Sequence, residues 1–189
     1  MKYTDIFTDN RSQLFGHVYI NSENNKDFEG RDLQETLKSI VKHVVREYEN
    51  ENVTVKFKLA HSTPSFSNVF QLQSKNDDGR FYRVRCVGNS KSLMFLVSLL
   101  HEVGHMIDAE KRGYHVLTDQ SSYEMVKCEV EAWKLGLRFG LVFGYLTKNE
   151  VLATWNEIMI CLGSYHRDHG KTLDELESAG EEIKRFIEL

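Results

Sequence analysis

The stretch FLVSLLHEVGHMIDAEKRG, residues 95–113, constrains the fold more than any other part of the chain. Leu99, Leu100, Val103, Met106 and Ile107 surround a polar triplet in a strongly apolar helix, which sets that triplet in largely buried surroundings. The triplet is His101, Glu102 and His105. Burying two imidazoles and a carboxylate is costly unless they are paired or bind a metal. Residues four apart on an α-helix project from one face, one turn along. His101 and His105 can therefore both reach a single Zn²⁺ at about 2.0–2.1 Å. Glu102 lies ~100° around the helix from His101 and would stand beside such an ion. There it can take a proton from metal-bound water and return it to a leaving amine. This is the H-E-x-x-H arrangement. Gly104, between the histidines, costs about 1 kcal/mol of helix propensity against alanine, which predicts a need for space at that point.

A catalytic zinc takes a third protein ligand and keeps a fourth position open. The extended pattern with a third histidine six residues on is excluded, because Asp108 and Lys111 occupy its glycine and histidine positions. An acid on the following helix is the alternative, and Glu124, Glu129 and Glu131 compete for the role. Ser121-Ser122-Tyr123-Glu124 reads as a capping box, which gives Glu124 a structural task. Glu129 and Glu131 lie ~200° apart around a helix, so only one can face the metal. Val126, Val130, Trp133 and Leu137 mark the apolar face, and neither acid falls in its middle. Periodicity alone does not choose.

Strand patterns occupy the first half of the chain and helical ones the second. QLFGHVYI (13–20) predicts a short strand. Leu33, Leu37, Ile40, Val41, Val44, Val45 and Tyr48 form one apolar stripe, preceded by Asp32 and Glu35 in capping-box spacing. VTVKFKLA (53–60) alternates with period two and predicts a strand with one wet face. SNVFQLQS (67–74) and RFYRVRCV (80–87) flank Asn76-Asp77-Asp78-Gly79 and predict a β-hairpin. Pro64 falls in the loop between strands. Ser90 or Ser92 can cap the helix of the opening stretch, which stops at Gly113. The glutamate-bearing helix runs to about Leu146, and helices over 148–163 and 172–188 are separated by the polar SYHRDHG (164–170).

At 189 residues the chain suits one compact domain. Its net charge of −4, with basic residues scattered among acids, gives no general attraction to nucleic acid or an anionic membrane. No apolar run approaches the ~20 residues that span a bilayer. MKYTDIFTDNRSQLFG lacks the apolar core of a secretory signal. Cys86, Cys128 and Cys161 are odd in number and widely spaced, which reads as reduced thiols in a cytoplasmic protein.

HEVGH at 101–105 together with EVEAW at 129–133 resembles the gluzincin metallopeptidases, most closely the small ImmA/IrrE-like and SprT-like zincins. In that resemblance the glutamate preceding alanine is the third ligand, which makes it Glu131 here, with Glu129 and Glu124 as rivals. It covers roughly residues 30–140, and the E-A-x-x-F-A continuation is absent, since Trp133-Lys134-Leu135-Gly136 follows Ala132. The implied activity is zinc-dependent hydrolysis of peptide bonds, with His101, His105 and Glu131 on Zn²⁺ and Glu102 as general base. The implied fold is an α+β zincin-like single domain over 1–189. It has a small, mainly antiparallel sheet of three or slightly more strands, an active-site helix, a glutamate helix and two further C-terminal helices. Its core spans about 30–146 and a helical extension about 147–189. The partner expected is a peptide or protein substrate, with no nucleic acid and no membrane. The alternative is a zincin-fold binding or regulatory protein, of the kind phages and mobile elements encode, that holds zinc with little or no peptidase activity. A nucleic-acid-associated protease of the SprT kind fits less well with the net acidity.

Several lesser features accompany the motif. Tyr123, Tyr165, His115, His166 and His169 are candidate oxyanion donors, each more simply read as a surface or packing residue. His166 and His169 have the spacing of a weak second metal site. Asp108, close behind His105, could orient a ligand imidazole. By analogy with zincins, RFYRVRCV would be an edge strand receiving peptide, with Arg80, Arg83 and Arg85 favouring acidic substrate. Cys128 reads as a small buried residue.

Overall fold

The structure, a computed structural model, describes residues 30–61, 67–74, 79–112 and 122–189. The elements are α1 (Leu33–Tyr48), β1 (Val53–His61), β2 (Ser67–Ser74), β3 (Arg80–Gly88), α2 (Leu93–Arg112), α3 (Ser122–Val142), α4 (Lys148–Ala153), α5 (Trp155–Asp168) and α6 (Leu173–Ile187). The strand expected at 13–20, the Pro64 loop, Asn76-Asp77-Asp78, His115 and the Ser121 cap lie outside the described residues. No helix among those residues is long and apolar enough to cross a membrane. The chain divides into two compact units, Met1–Glu102 and Val103–Leu189. The boundary falls inside α2, which continues unbroken through it.

In the first unit, Asp32 Oδ1 caps α1 by accepting from the N–H groups of Gln34 (2.8 Å) and Glu35 (3.3 Å). Glu35 accepts from Lys38 Nζ at 2.7 Å. The predicted stripe buries Leu33, Leu37, Ile40, Val41 and Val44. On β1 the alternation buries Val53, Val55, Phe57 and Leu59, and on β3 it buries Tyr82, Val84 and Cys86. Phe95, Leu96, Val97, Leu99 and Leu100 from the first turns of α2 add to this unit's buried apolar set.

The sheet corrects the expected fold class. Six helices dominate the described residues, and the strand order is β1-β3-β2. β2 pairs with β3 antiparallel, from Ser67↔Val87 to Ser74↔Arg80, as the hairpin reading requires. β1 pairs with β3 in parallel, from Val53↔Arg80 to His61↔Gly88, so the sheet is not mainly antiparallel. Period-two alternation suits either orientation, and the chain from β1 passes beyond the central position before β2 returns it. β3 is thereby the central strand, paired on both sides, and has no open edge to accept a peptide. Arg83 on β3 lies against the Phe81 ring (5.5 Å to the centroid), as does Lys56 of β1 (5.2 Å).

In the second unit, α3 ends earlier than expected. Gly144 takes a left-handed conformation (φ 70°), and the Gly140 carbonyl accepts from Tyr145 (2.7 Å) and Leu146 (3.0 Å). Thr147 and Glu150 form a capping box on α4, and Thr172 and Glu175 form one on α6. α5 runs on through Asp168, so most of SYHRDHG is helical rather than a connector. Val126, Val130, Trp133, Leu137, Val151, Ile158, Leu162, Ala179 and Ile183 are among the buried apolar residues here.

Candidate metal centre

The Ser92 hydroxyl opens α2 by accepting from Phe95 N–H at 3.2 Å. From Phe95 to Gly104 every residue of this helix is buried, the polar Ser98, His101 and Glu102 together with the apolar ones. His101 and Glu102 are 5% and 4% exposed, and His105 is half-buried. The three polar residues thus sit in low-dielectric surroundings, where each needs a defined partner.

Gly104 explains how α3 reaches this helix. A Cβ placed there would lie 1.9 Å from the Ala132 carbonyl oxygen and 2.9 Å from the Gly136 nitrogen, both backbone atoms. The two helices therefore meet backbone to backbone at a point where only glycine fits. Ala132 and Gly136 are spaced four apart and share one face of α3. Glu129 lies ~60° from Ala132 and ~20° from Gly136 around that helix, whereas Glu131 lies ~100° and ~140° away. The close approach turns Glu129 toward α2.

Among the described residues, His101, His105 and Glu129 are the group able to hold a metal ion, with one ligand atom from each lying within 4.8 Å of the others. His105 Nε2 and Glu129 Oε1 are 3.4 Å apart. In a tetrahedral site with bonds of about 2.0–2.1 Å the donors stand about 3.3–3.4 Å apart, so this pair already has the spacing of two such ligands. Two imidazoles and one carboxylate are also a donor set suited to a borderline divalent cation with an open position. The residues fit a metal.

The structure brings Glu129, rather than the expected Glu131, beside the two histidines. Glu131 accepts from Lys134 Nζ, which also donates to Glu182 of α6 at 2.8 Å. Its carboxylate belongs to a surface ion-pair network on another face of α3. The paired small residues Ala132 and Gly136, opposite Gly104, were the signal in the sequence for which acid of α3 lies toward α2.

Burial first, and then the charge of Glu102, pushes the Cys86 thiol of β3 well above its ordinary value. On α5, burial first, then Glu157 and Glu129, raise the Cys161 thiol. Asp108 is bonded to Arg112 rather than to an imidazole: it accepts from Arg112 Nε at 2.8 Å and from Arg112 Nη2. His166 is buried, its Nδ1 3.1 Å from the Leu162 carbonyl, while His169 is the C-cap of α5, and the two form no metal group. Cys128 is 4% exposed, as a small buried residue should be. Compared with protein-family models, with curated proteins and with solved structures, the chain matches none.

Proposed function

We propose that the chain is a zinc-dependent metallopeptidase in which His101, His105 and Glu129 hold the ion and Glu102 is the general base. The observation that carries this reading is the 3.4 Å separation of His105 Nε2 and Glu129 Oε1 beside His101, at an H-E-x-x-H sequence. The resemblance of HEVGH to the gluzincins supports the two histidines and Glu102 in these roles. For the third ligand, Glu129 stands in place of the Glu131 that the resemblance implies.

When bound, zinc supplies a water of lowered pKa and polarises the scissile carbonyl. The two histidines and Glu129 orient the site from two helices whose spacing Gly104 sets. Glu102 accepts the proton of the attacking water. As the C–N bond breaks, the same carboxyl returns that proton to the departing amine nitrogen, leaving an acid and an amine as products. Its burial keeps bulk water from competing for the proton.

Glu102→Gln tests the chemistry. The variant keeps its zinc and loses peptide hydrolysis, read by a substrate-profiling screen against wild type. Hydrolysis undiminished in Glu102→Gln refutes the mechanism. Zinc bound with no hydrolysis by wild type itself would favour a binding or regulatory protein.

A further inference from the structure

The ligand-bearing parts of α2 and α3 are fastened at two points that bracket the ligand pair. One is the close approach of Gly104 to Ala132 and Gly136. The other is Arg112, in the last turn of α2. Its Nε and Nη2 donate to both oxygens of Asp108, one turn back along the same helix. Nη2 also donates to Cys128 Sγ on α3 at 3.2 Å. His105 lies one turn before Asp108, and Glu129 directly follows Cys128.

We infer that Arg112 is a positioning residue for the metal centre, tying α2 to α3 so that His105 and Glu129 keep their ligand separation. The planar guanidinium is suited to this task. It grips Asp108 with two parallel donors, which fixes its plane, and so aims the shared Nη2 at α3. Lysine is a point charge on a flexible stem and holds no such direction. Asp108 and Cys128 are each 4% exposed, so both ends of the bridge sit in surroundings where such contacts are little screened. Partners behind metal ligands set affinity by about 10–100-fold, because coordination tolerates only small displacements.

This inference rests on the reading of His101, His105 and Glu129 as ligands, and the experiment separates the two. Metal-free full-length protein is titrated with Co²⁺, reading its visible absorption, and with Zn²⁺ against a chelator. Arg112→Lys and Cys128→Ala weaken binding by about tenfold or more and alter the Co²⁺ spectrum, while Cys128→Ser, which keeps an acceptor, binds as wild type does. Melting of the metal-free proteins accompanies each titration. Cys128→Ala leaves the Asp108–Arg112 pair in place and provides the folded variant if Arg112→Lys does not fold. Variants that bind with wild-type affinity and spectrum overturn the inference, as does a loss confined to metal-free melting temperature. Failure of wild type to bind either ion overturns the ligand reading and this inference together.

Discussion

Gly104→Ala separates a glycine placed for helix contact from an incidental one, because the two possibilities predict opposite signs. In an isolated helix the change is stabilising by about 1 kcal/mol. Here the added methyl would stand 1.9 Å from the Ala132 oxygen, 2.8 Å from the Ala132 carbonyl carbon and 2.9 Å from the Gly136 nitrogen. A comfortable carbon–oxygen contact is about 3.3 Å or more, so the helices must part by about 1.4 Å. No side chain can rotate away, since every atom met is backbone. Forced overpacking of this kind costs about 3 kcal/mol, at the upper end of its usual range. After the propensity gain, a net loss of about 2 kcal/mol remains, or a fall in Tm of about 4–8 °C for a chain of this size. Metal binding should suffer more than stability. Ligand distances are tolerant to only about 0.2 Å, so a separation several times larger removes Glu129 from the coordination sphere. Thermal melting of the metal-free protein and a Zn²⁺ titration check both parts. A Gly104→Ala protein that melts higher than wild type and binds zinc equally would refute the argument for the close approach.

Two further outcomes follow from the caps. Glu150 is fully buried and accepts from the Thr147 N–H (2.8 Å) and hydroxyl (3.2 Å), so Glu150→Ala strands that N–H and costs about 1–3 kcal/mol in urea denaturation; a loss below about 0.5 kcal/mol contradicts this. Glu175 is held down to about 2, against an ordinary 4.5, first by the Thr172 backbone N–H and then by Lys171. A depressed carboxyl stabilises the fold above its unfolded pKa, and that contribution disappears as pH falls from 4.5 toward 2. An NMR titration of the Glu175 carboxyl should show its midpoint near the lower value; a midpoint near 4.5 contradicts the cap.

Much of the local structure was legible in the residues. The Asp32 cap, the α1 stripe, the alternation of β1 and β3 and the buried α2 all follow from patterns that a few neighbouring residues determine. The sheet order did not follow, because alternation describes a strand's faces and not its neighbours. Val53, Val55 and Phe57 would read identically in a parallel or an antiparallel pair. The length of α5 was hidden for a different reason. His166 looks polar in SYHRDHG, but its Nδ1 finds the Leu162 carbonyl and lets the ring be buried on a continuing helix. Which of Glu129 and Glu131 lies beside the histidines depends on which face of α3 meets α2. Apolar periodicity is a poor guide to a face built from small residues, since Ala132 and Gly136 contribute little hydrophobicity and much proximity.

The central claim is that one metal ion sits between His101, His105 and Glu129. Its most direct test is the zinc content of protein purified without added metal, measured side by side for wild type, Glu129→Ala and Glu131→Ala. The arrangement of the helices predicts one zinc per chain in wild type, its loss in Glu129→Ala and its retention in Glu131→Ala. A wild type that holds no metal, or a zinc lost with Glu131 and kept without Glu129, contradicts it.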